Sequence, residues 1–146
     1  MAARILAVDD EPDMLALLRA ILCGRAGHDV FTTNNPHEVK EILARERGID
    51  VVVTDLKMPG VDGMEVLAQV HRHDPEIVVL VITAYGSPQA AEEAMARGAF
   101  DFISKPFRKE QILLAIDKAL RWRAMVKENR ELRRRLATDE KQGKGE

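Results

Sequence analysis

Four short stretches of this 146-residue chain carry side chains able to do chemistry together. Asp9-Asp10-Glu11 follows the apolar run Ile5-Leu6-Ala7-Val8, and Asp55 follows Val51-Val52-Val53-Thr54. Thr83 closes the run Ile77 to Ile82, and Lys105-Pro106 follows Phe102-Ile103-Ser104. Carboxylates brought together repel and raise one another's pKa unless a cation sits among them. A hard divalent ion with oxygen ligands meets that need, and Mg2+ takes one or two carboxylates, waters and a phosphate. Lys105 and Thr83 then have a use, because an ammonium and a hydroxyl facing a metal-bound carboxylate neutralise and hydrogen-bond a transferred phosphoryl group. The plainer alternative is a capping and salt-bridge cluster around Lys105, which would hold acids at three strand ends at a cost in stability.

These residues converge only if the runs before them are neighbouring strands. Val- and Ile-rich runs at 4–9, 28–33, 49–55, 77–83 and 99–104 mostly lack a two-residue alternation, as expected of strands covered on both faces. Helical spacing lies between them: Met14, Leu17, Leu18, Ile21, Leu22; then Val39, Ile42, Leu43; then Met64, Leu67, Val70; then Ala91, Ala94, Met95. Asn35-Pro36, Asp62-Gly63 and Ser87-Pro88 are helix starts, with Glu38 and Glu65 at capping-box spacing, and Gly24, Gly27, Gly48 and Gly98 are stops. Alternating β and α units in so short a chain predict a doubly wound parallel sheet with helices on both faces. Ligands of such sheets bind beyond the carboxyl ends of the strands, which is where the four stretches fall.

Composition narrows the function classes. With 46% hydrophobic and 32% charged residues the chain makes one domain with a core. No stretch is apolar for long enough to cross a membrane, and the first eight residues do not resemble a signal peptide, so a cytoplasmic protein is expected. The body to residue 116 has 12 basic against 18 acidic side chains, and residues 117–146 have 10 against 6. An acidic body with a mildly basic end is not the profile of a nucleic-acid binder, and direct nucleic-acid binding by this chain is not expected. The lone Cys23, beside Ile21 and Leu22, reads as a core side chain. His37-Glu38-Val39-Lys40-Glu41 lacks the second His of a zinc motif, and neither His71 and His73 nor His28 forms a ligand pair.

Val8-Asp9-Asp10-Glu11-Pro12, Val53-Thr54-Asp55-Leu56-Lys57-Met58-Pro59-Gly60 with Asp62-Gly63, Ile82-Thr83-Ala84 and Lys105-Pro106-Phe107 together resemble the receiver domains of two-component response regulators. The resemblance covers about residues 3–120 and implies a flavodoxin-like, five-stranded sheet of order 2-1-3-4-5 with five helices, the last extended. It implies that Asp55 is the phosphoacceptor for a sensor histidine kinase, and that Asp9, Asp10, Asp55 and the Lys57 main-chain carbonyl hold Mg2+. Thr83 then corresponds to the switch hydroxyl, Lys105 to the cation on the phosphoryl oxygens, Lys105-Pro106 to a cis peptide, and Ala84 to the small residue that leaves room. Phe102 stands where the family places an aromatic switch residue, often Tyr; without a hydroxyl it reports the state by packing alone. Lys57 and Tyr85 are the positions expected to tune the acyl-phosphate lifetime. The added charge at Asp55 is expected to reorganise the face of helix 4, strand 5 and helix 5.

Helix 5 does not end with the body at residue 120. Trp122, Met125, Asn129, Leu132 and Leu136 are spaced three and four apart, as heptad a and d positions, with Glu128 at g facing Arg133 at e of a parallel partner. Residues 121–137 are therefore expected to form a coiled coil that dimerises together with the helix 4, strand 5 and helix 5 face, the alternative being a solvated helix. Residues 138–146 are polar and expected to be disordered. This extension, with Gly86 and the Ala-rich fourth helix, most resembles the receivers and linkers of enhancer-binding transcription activators. Two rival functions remain: a haloacid-dehalogenase-like phosphatase, which wants a second Asp where Lys57 stands, and an interaction module indifferent to phosphorylation.

Overall fold

The runs of Val and Ile become the central layer. A computed structural model describes residues 2–143 except Arg25 and Tyr85, with side chains described through Thr138. Along the chain the elements are β1 (Arg4–Val8), α1 (Pro12–Cys23), β2 (Asp29–Thr33), a 3-10 turn (Pro36–Glu38) leading into α2 (Val39–Arg45), and β3 (Val51–Thr54). They continue with β4 (Lys57–Met58), β5 (Val61–Asp62), α3 (Gly63–His73), β6 (Val78–Thr83), α4 (Pro88–Ala96), β7 (Asp101–Ser104) and α5 (Lys109–Gly143). Five strands pair in parallel in the order β2-β1-β3-β6-β7, the predicted 2-1-3-4-5 arrangement.

Burial explains why the strands lack alternation. Leu6, Val8, Val52, Val79 and Val81 enter a core closed by α2, α3 and Ala94 of α4. Their neighbours Ile5, Ala7, Val51, Val53, Leu80 and Ile82 enter a second core closed by α1 and α5. Each face alternates, but both are apolar, and a fully buried Leu, Ile or Val contributes about 1.5–3 kcal/mol. The expected caps are in place: Asn35 Oδ1 accepts from the His37 N–H, Asp62 Oδ1 from the Met64 N–H, and Ser87 Oγ from the Ala90 N–H. Glu38 does not turn back to the Asn35 backbone; its carboxylate accepts from Thr33 Oγ1 instead. Gly98 ends α4 at φ 105°, a conformation that a side chain resists.

Several expectations need correction. The segment after Asp55 forms a two-rung antiparallel ladder, β4 with β5, turning at Gly60 with φ 78°. Cys23 is exposed, because one more residue along α1 turns it by about 100° away from the buried Leu22. α5 continues past Thr138 to Gly143. Trp122 is 40% exposed and packs its ring on Phe100 with centroids 5.9 Å apart. Among the described residues no helix is long and apolar enough to cross a membrane.

Candidate functional site

Strand register builds the site. Val8 lies opposite Thr54 in the β1–β3 ladder, and the Asp55 N–H donates to the Val8 carbonyl at 3.2 Å, so Asp9 and Asp55 leave adjacent strands side by side. Thr83 lies opposite Ser104 in the β6–β7 ladder, and the Lys105 N–H donates to the Thr83 carbonyl at 2.9 Å. The same sheet edge therefore delivers all four strand-end residues. The expected cis peptide at Lys105-Pro106 is present.

The carboxylates are oriented as well as gathered. Lys105 Nζ donates to Asp9 Oδ2 and to Asp55 Oδ2, each at 2.9 Å. The other oxygen of each acid accepts a backbone N–H: Asp9 Oδ1 from Glu11 at 2.9 Å, and Asp55 Oδ1 from Lys57 at 3.2 Å. Asp9 and Asp55 are only 2% and 3% exposed, whereas Asp10 is half-buried and Glu11 exposed. One oxygen each from Asp9, Asp10, Glu11 and Asp55 can be chosen so that all four lie within 4.8 Å of one another.

Burial raises the Asp9 pKa, with the Asp55 charge adding to the rise, while the Glu11 N–H and Lys105 pull it back. Burial alone would lower Lys105, but its hydrogen bonds to Asp9 and Asp55, together with their charges, outweigh that and raise it. Lys105 is thus held as an ammonium, and one ammonium faces four carboxylates. The excess negative charge, the all-oxygen donor set and its opening at Asp10 and Glu11 fit a hard, partly hydrated divalent cation such as Mg2+. A cleft of about 660 Å³ opens beside the acids, bounded by Asp10, Glu11, Asp55, Lys57, Asp62 and Glu93.

The remaining expected residues surround this centre. Thr83 is fully buried at the end of β6. Ala84 is exposed beside it, and Tyr85 lies outside the described residues. Phe102 is half-buried against the α3-side core, and its ring abuts Gly86, where an added Cβ would stand 2.9 Å from the ring edge. The Lys57 side chain is exposed, and its backbone N–H is the group on Asp55. Sequence reasoning missed two contributors. Glu11 joins the acidic cluster although it was not expected as a ligand. Gly63 lies so close to the backbone after β3 that a Cβ there would sit 2.3 Å from the Asp55 carbonyl oxygen. Its place in Asp62-Gly63 was visible, but nothing in the sequence showed which backbone it approaches.

Known proteins share this fold. Residues 5–117 match the family described as response regulator receiver domain. The C4-dicarboxylate transport transcriptional regulatory protein DctD of Pseudomonas aeruginosa is 39% identical over 134 residues, covering 92% of this chain and 29% of that protein. The transcriptional regulatory protein GlrR of Escherichia coli K12 is 37% identical over 128 residues, 88% of this chain and 28% of that one. The chain thus spans less than a third of these curated relatives. Among solved structures, NtrX from Brucella abortus superposes with a TM-score of 0.84 at 34% identity, covering 92% of this chain and 31% of that one. A receiver domain protein from Clostridium thermocellum gives 0.78 at 31% identity, covering 85% and 98%.

Proposed function

The chain belongs to the response regulator receiver domain family, and on that footing we propose that Asp55 accepts a phosphoryl group from the phosphohistidine of a sensor histidine kinase. A carboxylate oxygen of Asp55 attacks phosphorus, the P–N bond breaks with its electron pair returning to the imidazole, and an acyl phosphate remains. Mg2+ held by Asp9, Asp10, Asp55 and the Lys57 carbonyl, with Glu11 close by, would neutralise phosphoryl charge when bound. Lys105 places its ammonium on the same oxygens, and its two 2.9 Å contacts are the single observation that carries this reading. A spectator salt bridge needs one acid; this ammonium is shared between two buried ones from different strands.

Phosphorylation adds about −1.5 to −2 charges and three acceptor oxygens. Thr83 and Lys105 are drawn toward them, and the loop after β6, α4 and β7 reorganises, with Phe102 responding by packing against Gly86. The surface that changes is the α4–β7–α5 face, where Met95 and Leu114 are exposed. Self-association through that face and through the Trp122–Leu136 helix is supported by the exposure of Met125, Leu132 and Leu136 and by the heptad placement of Asn129, Glu128 and Arg133. A cytoplasmic location follows from a kinase phosphodonor. An output in transcription is supported by relatives named as transcriptional regulatory proteins.

Intact-mass spectrometry after incubation with acetyl phosphate and Mg2+ tests the assignment. The native chain gains one phosphoryl group and Asp55→Asn gains none; an adduct that survives the substitution overturns it.

A further inference from the structure

The amino ends of the strands, opposite the acidic cluster, carry a second constellation that the phosphoacceptor chemistry does not use. Arg123 of α5 is 7% exposed, among the few buried charged residues of the fold. Its Nε donates to Asp50 Oδ1 at 2.9 Å, and its Nη1 to the Glu76 carbonyl at 2.5 Å. The other oxygen of Asp50 accepts the Arg4 N–H at 3.0 Å, so the carboxylate is tied to β1 as well. Two helical turns further on, Arg130 Nη1 donates to the Glu76 carboxylate at 2.6 Å. Asp50 stands just before β3, and Glu76 two residues before β6. The part of α5 beyond residue 120 is therefore fastened to the two strands that end in Asp55 and Thr83.

Arg123, Val126 and Arg130, at i, i+3 and i+7, face the body. Met125, Leu132 and Leu136 lie roughly a third of a turn away, and Met125 is 66% exposed. One helix thus has a charged face for its own domain and an apolar face left over. The self-complementary Glu128 and Arg133 positions and the single Asn129 on that face suit a parallel second copy. Fewer than three heptads do not hold a helix pair by themselves. An arm already ordered before it meets its partner loses less entropy on pairing.

We propose that Arg123, seated on Asp50 and the Glu76 carbonyl and backed by Arg130, is a clamp that makes the arm of α5 through residue 130 one body with the sheet and so presents its apolar face pre-ordered to a second copy of this chain. The inference rests on the reading of that face as a dimer contact, not on the chemistry at Asp55.

Two measurements on the full chain test it. In a background carrying Leu132→Glu and Leu136→Glu, where arms cannot pair, amide hydrogen exchange isolates the clamp. Arg123→Met is expected to speed exchange of residues 121–131 by on the order of tenfold or more. Arg130→Met, which leaves the buried contacts alone, speeds only the residues beyond Val126. Lys127→Met, exposed and at heptad f, away from both faces, leaves the segment unchanged. Exchange in Arg123→Met equal to that of its parent overturns the clamp. In chains with the apolar face intact, sedimentation equilibrium is expected to show self-association weakened by about tenfold in Arg123→Met and unaltered in Lys127→Met. Equal association in native and Arg123→Met chains, or none in the native chain with or without acetyl phosphate, overturns the pre-ordering. An Asp55 that takes no label would withdraw the phosphoacceptor reading and leave both of these results standing.

Discussion

Removing the Lys105 ammonium while keeping the side-chain bulk tests whether the acids are built around a cation. In Lys105→Gln, Asp9 and Asp55 keep one backbone hydrogen bond each but lose the charge 2.9 Å from both. Breaking a buried ion pair by removing one partner costs about 3–5 kcal/mol. The lower end applies, because a glutamine amide can still donate to one carboxylate, so about 3 kcal/mol is expected in chelator. For a domain of this size that lowers Tm by roughly 10 °C. Mg2+ then acts in opposite proportion to the native charge balance. The variant has lost the competing ammonium and binds the ion more tightly; where the ion exceeds the variant's Kd about a hundredfold but only about equals the native chain's, it adds about 2.7 kcal/mol to the variant and about 0.4 kcal/mol to the native chain. Urea unfolding followed by circular dichroism, in EDTA and in millimolar Mg2+, reads both numbers. The gap between native and variant is expected to be wide in EDTA and to narrow to about 1 kcal/mol or less in Mg2+. A gap of the same size in both solutions, or none in EDTA, would mean that the acids are not built around a cation.

Gly63→Ala places a methyl group 2.3 Å from the Asp55 carbonyl and 2.5 Å from Leu56 Cα, so backbone must move; a loss of about 2 kcal/mol or more in urea unfolding and slower acetyl-phosphate labelling are expected. Thr83→Ala is expected to label at Asp55 yet lose the phosphorylation-dependent change in amide exchange over α4 and β7, and an unchanged response would remove Thr83 from the switch. His28 accepts the Ala3 N–H on Nδ1 at 3.0 Å, and burial holds its pKa below the usual imidazole value of 6.5. The native state therefore binds this proton less well than the unfolded chain, so the stability His28 contributes is complete above pH 6.5 and is lost as pH falls from there toward the depressed value. Urea midpoints of His28→Gln should fall less steeply between pH 7 and 5.5 than those of the native chain, and parallel slopes would contradict this.

What the sequence made legible was the part written in periodicity and punctuation. The five strands announced themselves as apolar runs, and Asn35, Asp62 and Ser87 cap the turns and helices where their side chains suggested. The site was readable because parallel strands carry their carboxyl ends to one edge, so Asp9, Asp55, Thr83 and Lys105 needed only that topology to meet. The β4–β5 ladder escaped because two residues per strand have no period. Cys23 misled through its neighbours: Leu22 is buried, and the next residue already points to water. Arg123 was unreadable for a different reason. Its partners Asp50 and Glu76 lie far away in sequence, and an arginine in a basic helix looks the same whether it is solvated or clamped. Trp122 fitted a heptad, but the pattern carried no trace of Phe100.

If Asp55 alone among the clustered carboxylates is reactive toward phosphorus, its acyl phosphate can be trapped in place. After treatment with acetyl phosphate and Mg2+, borohydride reduction converts an aspartyl phosphate to homoserine, which tandem mass spectrometry locates in the sequence. Homoserine is expected at position 55 alone and only when Mg2+ is present. Reduction at Asp9 or Asp10, or at no aspartate under conditions where phosphoryl label is incorporated, would remove Asp55 as the phosphoacceptor.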